Sequence, residues 1–258
     1  MFRSNTPITD WSDRHVWIIG ASEGIGLALA QALKLQKAQL SVSARNEKRL
    51  KLEFSDRARI LPMDVSSTEN VSKVMDFLIQ QETVPDTVFW LPAVYHPGGI
   101  LSLDPEATQQ RLHTNLLSAF NLFPRIVRYW SSNPLIKKQY HWSWFSSLAA
   151  YRGLPNASDY GASRAAISHL AQSSHLELKR HNIDISLISP GFVNTRLTEK
   201  NEFKMPLLMS PKRAAQLTLK GLKSGNFETH FPKRMSLLFK FLNILPIDLY
   251  LKLMRVLK

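Results

Sequence analysis

The stretch His15-Val16-Trp17-Ile18-Ile19-Gly20-Ala21-Ser22-Glu23-Gly24-Ile25-Gly26 decides the fold. Its first residues have the apolar, β-branched character of a buried strand, and residues 24–35 continue with apolar positions at helical spacing. A chain that turns this abruptly from strand to helix needs residues without a Cβ, and the free amides at the helix start offer a seat for a pyrophosphate. Gly20 suits the tight turn, Gly24 the close approach of a phosphate, and Gly26 the packing of helix on sheet. The glycines are separated by three residues and then one, unlike the one-and-two spacing of the common dinucleotide fingerprint. Residues 16–26 therefore read as the first strand, glycine-rich turn and helix start of a dinucleotide-binding α/β domain.

Outward from this stretch, apolar runs alternate with amphipathic ones. Further strands are expected at 39–44, 59–62, 87–91, 140–145, 183–188 and 227–231, and helices at 47–54, 67–81, 105–130, 158–181 and 210–223. This alternation predicts an α/β fold, a Rossmann-like doubly wound parallel sheet of about seven strands with helices on both faces. Ser66 or Ser67 can cap the helix over 67–81, Pro211 suits a first helical turn, and Pro124 is expected to bend the long helix over 105–130. No linker-like shift or fixed-period repeat divides the series. Residues 1–258 are expected to form one domain, with a basic helical extension at 233–258.

The absence of cysteine excludes disulfides, thiolate catalysis and cysteine-based metal sites, and makes the cytoplasm the default setting. The N-terminal residues do not read as a secretory signal, and no apolar run reaches the roughly 18 residues of a spanning helix. The net charge of +13, from 33 basic and 20 acidic residues, raises nucleic acid, an anionic membrane surface or an anionic ligand as partners. Over 233–258, six basic residues against the single acid Asp248 concentrate +5 of that charge. The remainder is spread thinly, without an arginine-rich arm or zinc-finger spacing, so no nucleic-acid role is expected.

The second strand ends in Ala44-Arg45. An acid there would accept bonds from a ribose diol, whereas Arg45 favours a 2′-phosphate; NADP is preferred, NAD stays open, and Glu23 pulls mildly the other way. After the fifth strand come Ser146-Ser147, with Tyr160 thirteen residues beyond Ser147 and Arg164 four residues later on the same helix face. Reducing a carbonyl requires a proton donor, a second donor to hold the oxygen and nearby positive charge, and these are groups of the right kind. Tyr and Arg four apart also make an ordinary helix-surface pair.

Taken in order, these motifs resemble the short-chain dehydrogenase/reductase family over nearly the full length of the chain. The resemblance implies cofactor contacts from Gly20, Ser22, Glu23, Gly24, Ile25 and Gly26 in the glycine-rich turn, and from Arg45. It places Asp64 and Val65 beside the adenine, and Pro190, Gly191, Val193 and Thr195 around the nicotinamide. Asn115, Ser147 and Tyr160 match the asparagine of the proton relay and the catalytic serine and tyrosine. The chain departs from the pattern in three places. Ile19 stands where threonine is usual, and Arg164 stands where lysine would hold the nicotinamide ribose and join the relay. Trp90-Leu91-Pro92-Ala93 replaces Asn-Asn-Ala-Gly, so that Pro92 lacks an amide donor and Ala93 adds a methyl at a cofactor contact. Arginine keeps the charge but releases a proton far less readily. The implied activity is reversible hydride transfer between NADP(H) and a small-molecule carbonyl or secondary alcohol, by a homodimer or homotetramer. The alternative is a regulatory or structural protein that binds cofactor without useful turnover.

Residues 192–209 lie where the family carries its substrate lid, and Leu197, Phe203, Met205, Pro206, Leu207, Leu208 and Met209 make it apolar. Tyr95, His96, Leu148, Tyr151 and Leu154 are expected on the opposite wall. These residues suit an apolar or lipid-like substrate, or core and oligomer packing. His96 lacks companion ligands, so no metal is expected. The tail reads as two short amphipathic helices joined at Pro246, the second reaching Leu257, which suit docking over the pocket, a subunit interface or peripheral contact with an anionic membrane.

Overall fold

The computed structural model describes residues 3–135 and 139–256. Its seven strands are β1 (His15–Ile19), β2 (Gln39–Ser43), β3 (Arg59–Ile60), β4 (Thr87–Trp90), β5 (Tyr140–Phe145), β6 (Ile183–Pro190) and β7 (Glu228–Phe231). They form one parallel sheet in the order β3-β2-β1-β4-β5-β6-β7. The chain runs outward in opposite directions from the β1–β4 seam, which opens a crevice beyond the strand C-termini. The fold class is therefore an α/β, Rossmann-like doubly wound sheet.

Strand periodicity divides the core. Val16 and Ile18 face one side, under α1 (Gly24–Leu35), α2 (Glu47–Phe54) and α7 (Pro211–Ser224). Trp17 and Ile19 face the other, under α3 (Thr68–Gln80), α5 (Ala119–Ser132) and α6 (Ser158–Leu178). On that second face Trp90, Trp142 and Trp144 pack against one another and against Phe123 of α5, with ring centroids 4.8–6.0 Å apart. Trp90 of the unusual strand-four sequence is thus a core residue, paired in register with Trp144 of β5.

The helix starts follow their caps. Asn46, Ser67, Asp104 and Ser210 each accept a main-chain N–H from the first turn of their helix. Of the two serines considered for α3, Ser67 caps it. The single long helix expected over 105–130 is divided, and not at Pro124. It consists of α4 (Pro105–Leu112), a π-helical turn over His113–Leu117, and α5. The N–H missing at Pro124 would have bonded the carbonyl of Phe120, which lies on the exposed side of α5, so the proline is accommodated without a break. The π turn carries Asn115, and such turns recur at functional sites. The tail forms α8 (Lys233–Ile244) and α9 (Ile247–Val256), on either side of Pro246. Leu257 and Lys258 lie outside the described residues.

Candidate active site

The C-terminal ends of β1, β2, β4, β5 and β6 converge on a cavity of about 550 Å³. Gly20 turns the chain with φ +93°, and Gly24 follows at φ +57°, a conformation that L side chains rarely adopt. A Cβ on Gly26 would lie 2.1 Å from the Gly20 carbonyl oxygen, so the bare glycine is what lets α1 begin directly on the turn. Gly20, Ser22, Glu23, Gly24, Ile25 and Gly26 line one end of the cavity. Pro190, Gly191, Val193 and Thr195 approach from β6, with Thr195 Cγ2 filling the space beside Gly24.

Arg45 lines the cavity beside two residues that the sequence reading passed over, Asn46 and Arg49. Asn46 caps α2 by accepting the Arg49 N–H at 3.0 Å, which aligns Arg49 with the strand tip. Glu23, expected to disfavour a phosphate here, accepts a hydrogen bond from Arg49 Nη1 at 3.0 Å and lies 3.9 Å from Arg196. Its charge is therefore balanced, and the corner keeps the positive charge of Arg45. Asp64 and Val65 line the adjoining wall. Burial pushes the Asp64 carboxyl up, but hydrogen bonds from Ser66 and the charges of Arg45 and His113 bring it below the usual carboxylate range.

Ala93 lines the floor, and next to it the main chain of Val94 is gripped from both sides by one side chain. Asn115 Oδ1 accepts the Val94 N–H at 2.6 Å, and Asn115 Nδ2 donates to the Val94 carbonyl at 2.8 Å. Arg164 is 1% exposed. Its guanidinium donates to the carbonyl of Phe145 at 3.2 Å and to that of Asn115 at 2.8 Å, and lies 5.5 Å from the centre of the Tyr160 ring. Its Nε has no hydrogen-bond partner. Burial pulls the Arg164 pKa below its ordinary value, with Tyr160 opposing.

A second cavity, of about 570 Å³, adjoins the first. Tyr160 lines both, and its ring meets that of Tyr95 edge-on with centroids 5.0 Å apart. Ser147 is half-buried at the start of the turn over Leu148–Ala150, its Oγ accepting the Ala149 N–H at 3.2 Å. Ser147 itself lines neither cavity; its neighbours Ser146 and Leu148 line the first and the second. Tyr95, Leu148 and Leu154 line the second cavity as expected from the sequence. His96 is exposed instead, and Tyr151 turns away to donate to Glu228 at 2.5 Å. Of the apolar lid residues, Leu197 and Phe203 line the cavity, Leu207 and Leu208 point to solvent, and Met209 packs on the core beside Val193. The lid is tied to the strand-four loop through Tyr95, whose hydroxyl donates to Asn201 at 3.1 Å and whose carbonyl accepts from Lys200 at 3.1 Å. Met235 and Phe239 of α8 complete the wall, so the first tail helix docks over this cavity. Among the described residues no group of three or more His, Asp or Glu side chains could hold a metal ion.

Comparison with known proteins agrees with this architecture. The family model described as short chain dehydrogenase matches residues 14–205. An uncharacterized oxidoreductase of Myxococcus xanthus is 27% identical over 250 residues, 94% of this chain and 97% of that protein. A 3-dehydrosphinganine reductase of Arabidopsis thaliana is 27% identical over 237 residues, 83% of this chain and 69% of that protein. A crystal structure of a short chain dehydrogenase from Burkholderia cenocepacia, in complex with NADP, superposes with a TM-score of 0.82 at 19% identity, covering 95% of this chain and 99% of that one. The chain belongs to the short chain dehydrogenase family of oxidoreductases.

Proposed function

We propose that the protein transfers a hydride reversibly between NADP(H) and the carbonyl or secondary alcohol of a small apolar molecule. The observation that carries this reading is the position of Tyr160, an acidic hydroxyl among the residues that line both the glycine-floored cavity and the more apolar one. The first cavity fits a dinucleotide: glycines whose Cβ atoms would collide with their surroundings leave the α1 amides open to a pyrophosphate, and Arg45 with Arg49 suits a 2′-phosphate. NADP in the similar Burkholderia structure supports the same choice.

The bound cofactor supplies or accepts the hydride. In reduction, the Tyr160 hydroxyl donates its proton to the substrate oxygen, and Ser147 orients that oxygen. Arg164 lends positive charge behind Tyr160. Asn115 holds the floor at Val94 and, through its carbonyl, fixes the Arg164 fork. The apolar lining from Leu148, Leu154, Leu197, Phe203 and Phe239 favours a hydrocarbon-bearing substrate, in keeping with the 3-dehydrosphinganine named for the Arabidopsis relative.

A protein that binds cofactor without turnover is the second reading. It is favoured by the engagement of both terminal nitrogens of Arg164 with main-chain carbonyls. One experiment separates the two: NADPH oxidation with a panel of apolar ketones, using wild type and Tyr160→Phe. Turnover that falls by about 10²-fold or more in the variant, with NADPH binding retained, supports the first reading. Equal turnover in the variant refutes Tyr160 as the acid, and binding without oxidation across the panel supports the second reading.

A further inference from the structure

We infer that the outer face of α8 and α9 is a docking surface for an anionic lipid bilayer. A surface helix in a globular protein ordinarily carries one apolar stripe. Helix α8 carries two. Met235 and Phe239 turn inward to the 570 Å³ cavity, while Leu237, Phe241 and Ile244, at helical spacing, turn outward and are 58%, 60% and 81% exposed. Leu238 and, past Pro246, Ile247 add to the same exposed apolar surface. An apolar surface of this kind marks a contact with something outside the chain.

The surface is held firmly. Arg152 donates to the carbonyls of Leu242 and Leu245 at 2.5 and 2.9 Å, tying down the C-terminal end of α8, and stacks 4.6 Å from the centre of the Tyr250 ring. Tyr250, the buried tyrosine of α9, donates to the Gly153 carbonyl at 2.6 Å. The lysine that these contacts leave inside, Lys240, is paired with Glu228 at 2.6 Å. Lys233, Arg234, Lys252 and Arg255 are exposed, with Asp248 the one acidic residue of the two helices.

Those charges choose the occupant. In a symmetric contact between two copies, the same patch meets itself, and its cations would face their own copies. An anionic bilayer matches both halves of the surface: acyl chains take Leu237, Phe241 and Ile244, and headgroups take the basic side chains. No helix among the described residues is long and apolar enough to cross a membrane, so the contact lies in the interface plane. Helix α8 is about 10 Å across, which puts the inner cavity one helix away from the lipid.

The test is sedimentation of the full chain with phosphatidylcholine vesicles, with and without phosphatidylglycerol. Binding to the anionic vesicles is expected, weakening as salt is raised. Arg234→Gln with Lys252→Gln is expected to lower the partition by about thirtyfold, at about 1 kcal/mol for each basic side chain near the surface. Leu237→Ser with Phe241→Ser is expected to abolish binding, with the thermal midpoint unchanged because both side chains are already solvated. Absence of sedimentation, or equal partition onto neutral and anionic vesicles, overturns the inference. So does a stable dimer that dissociates in the Leu237→Ser, Phe241→Ser protein, because a second copy would then be the occupant. No turnover is needed, so this result is separable from that for the redox activity.

Discussion

A methyl at residue 26 would sit 2.1 Å from the Gly20 carbonyl oxygen, 2.9 Å from the Gly20 carbonyl carbon and 3.1 Å from Ala21 Cα. All three are main-chain atoms, so no change of rotamer relieves the collision in Gly26→Ala. The start of α1 must withdraw from the turn by about 1 Å, the kind of overpacking that costs about 1–3 kcal/mol of stability. The same withdrawal takes the first α1 amides away from the position of a pyrophosphate. A hydrogen bond to a charged group contributes about 1.5–3 kcal/mol, so losing one weakens NADPH binding by about ten- to a hundredfold. Fluorescence titration with NADPH and urea unfolding measure the two effects. Gly153→Ala is the control, because a Cβ there meets nothing within 4 Å. If Gly26→Ala binds NADPH like wild type and unfolds at the same urea concentration, the assignment of the turn as a phosphate seat is refuted.

Arg45→Gln with Arg49→Gln is expected to weaken NADPH binding by about ten- to a hundredfold and leave NADH binding nearly unchanged, since only the former carries the 2′-phosphate; equal losses for both cofactors in parallel titrations would count against that corner. His141 is buried, and burial pulls its pKa from 6.5 down to about 4. The unfolded chain therefore takes up this proton first as pH falls, so the stabilisation is complete above about pH 6.5 and is lost as pH drops through about 4, an effect of about 3 kcal/mol. Urea midpoints from pH 7 to 4 are expected to fall less steeply in His141→Gln, and parallel curves for the two proteins would refute the assignment.

The sheet was legible because parallel strands covered on both faces read as short apolar runs, and because Gly20, Gly24 and Gly26 mark the first crossover. Cofactor-contact positions carried over from the family motifs all line one cavity, since those positions sit at strand ends that the topology brings together. Three features were not legible. The π segment at His113–Leu117 is flanked by helix on both sides and carries no proline or glycine to mark it, whereas Pro124 offers a visible candidate for a bend. Arg49 looked like one more cation on a polar helix; its only local signal was Asn46, a cap residue three positions earlier. Apolar composition put Leu207, Leu208 and Met209 in the lid, but which of them face the cavity depends on the path of an irregular segment.

The two largest departures from the family pattern meet at one residue. Pro92 and Ala93 alter the chain leaving β4, and the next residue, Val94, has both its N–H and its carbonyl bound by the Asn115 side chain. The Asn115 carbonyl, in turn, accepts from Arg164. The π turn thus presents a side chain to the altered loop and a carbonyl to the altered cation. A lysine at 164 would offer a single ammonium on a flexible stem, whereas the planar fork reaches the carbonyls of Phe145 and Asn115 together. Arg164 accordingly ties the end of β5 to the π turn, and through Asn115 to the floor beneath Tyr95 and Tyr160. The strand-four loop and Arg164 are therefore held by one residue, Asn115, which grips Val94 with its side chain and receives Arg164 on its carbonyl.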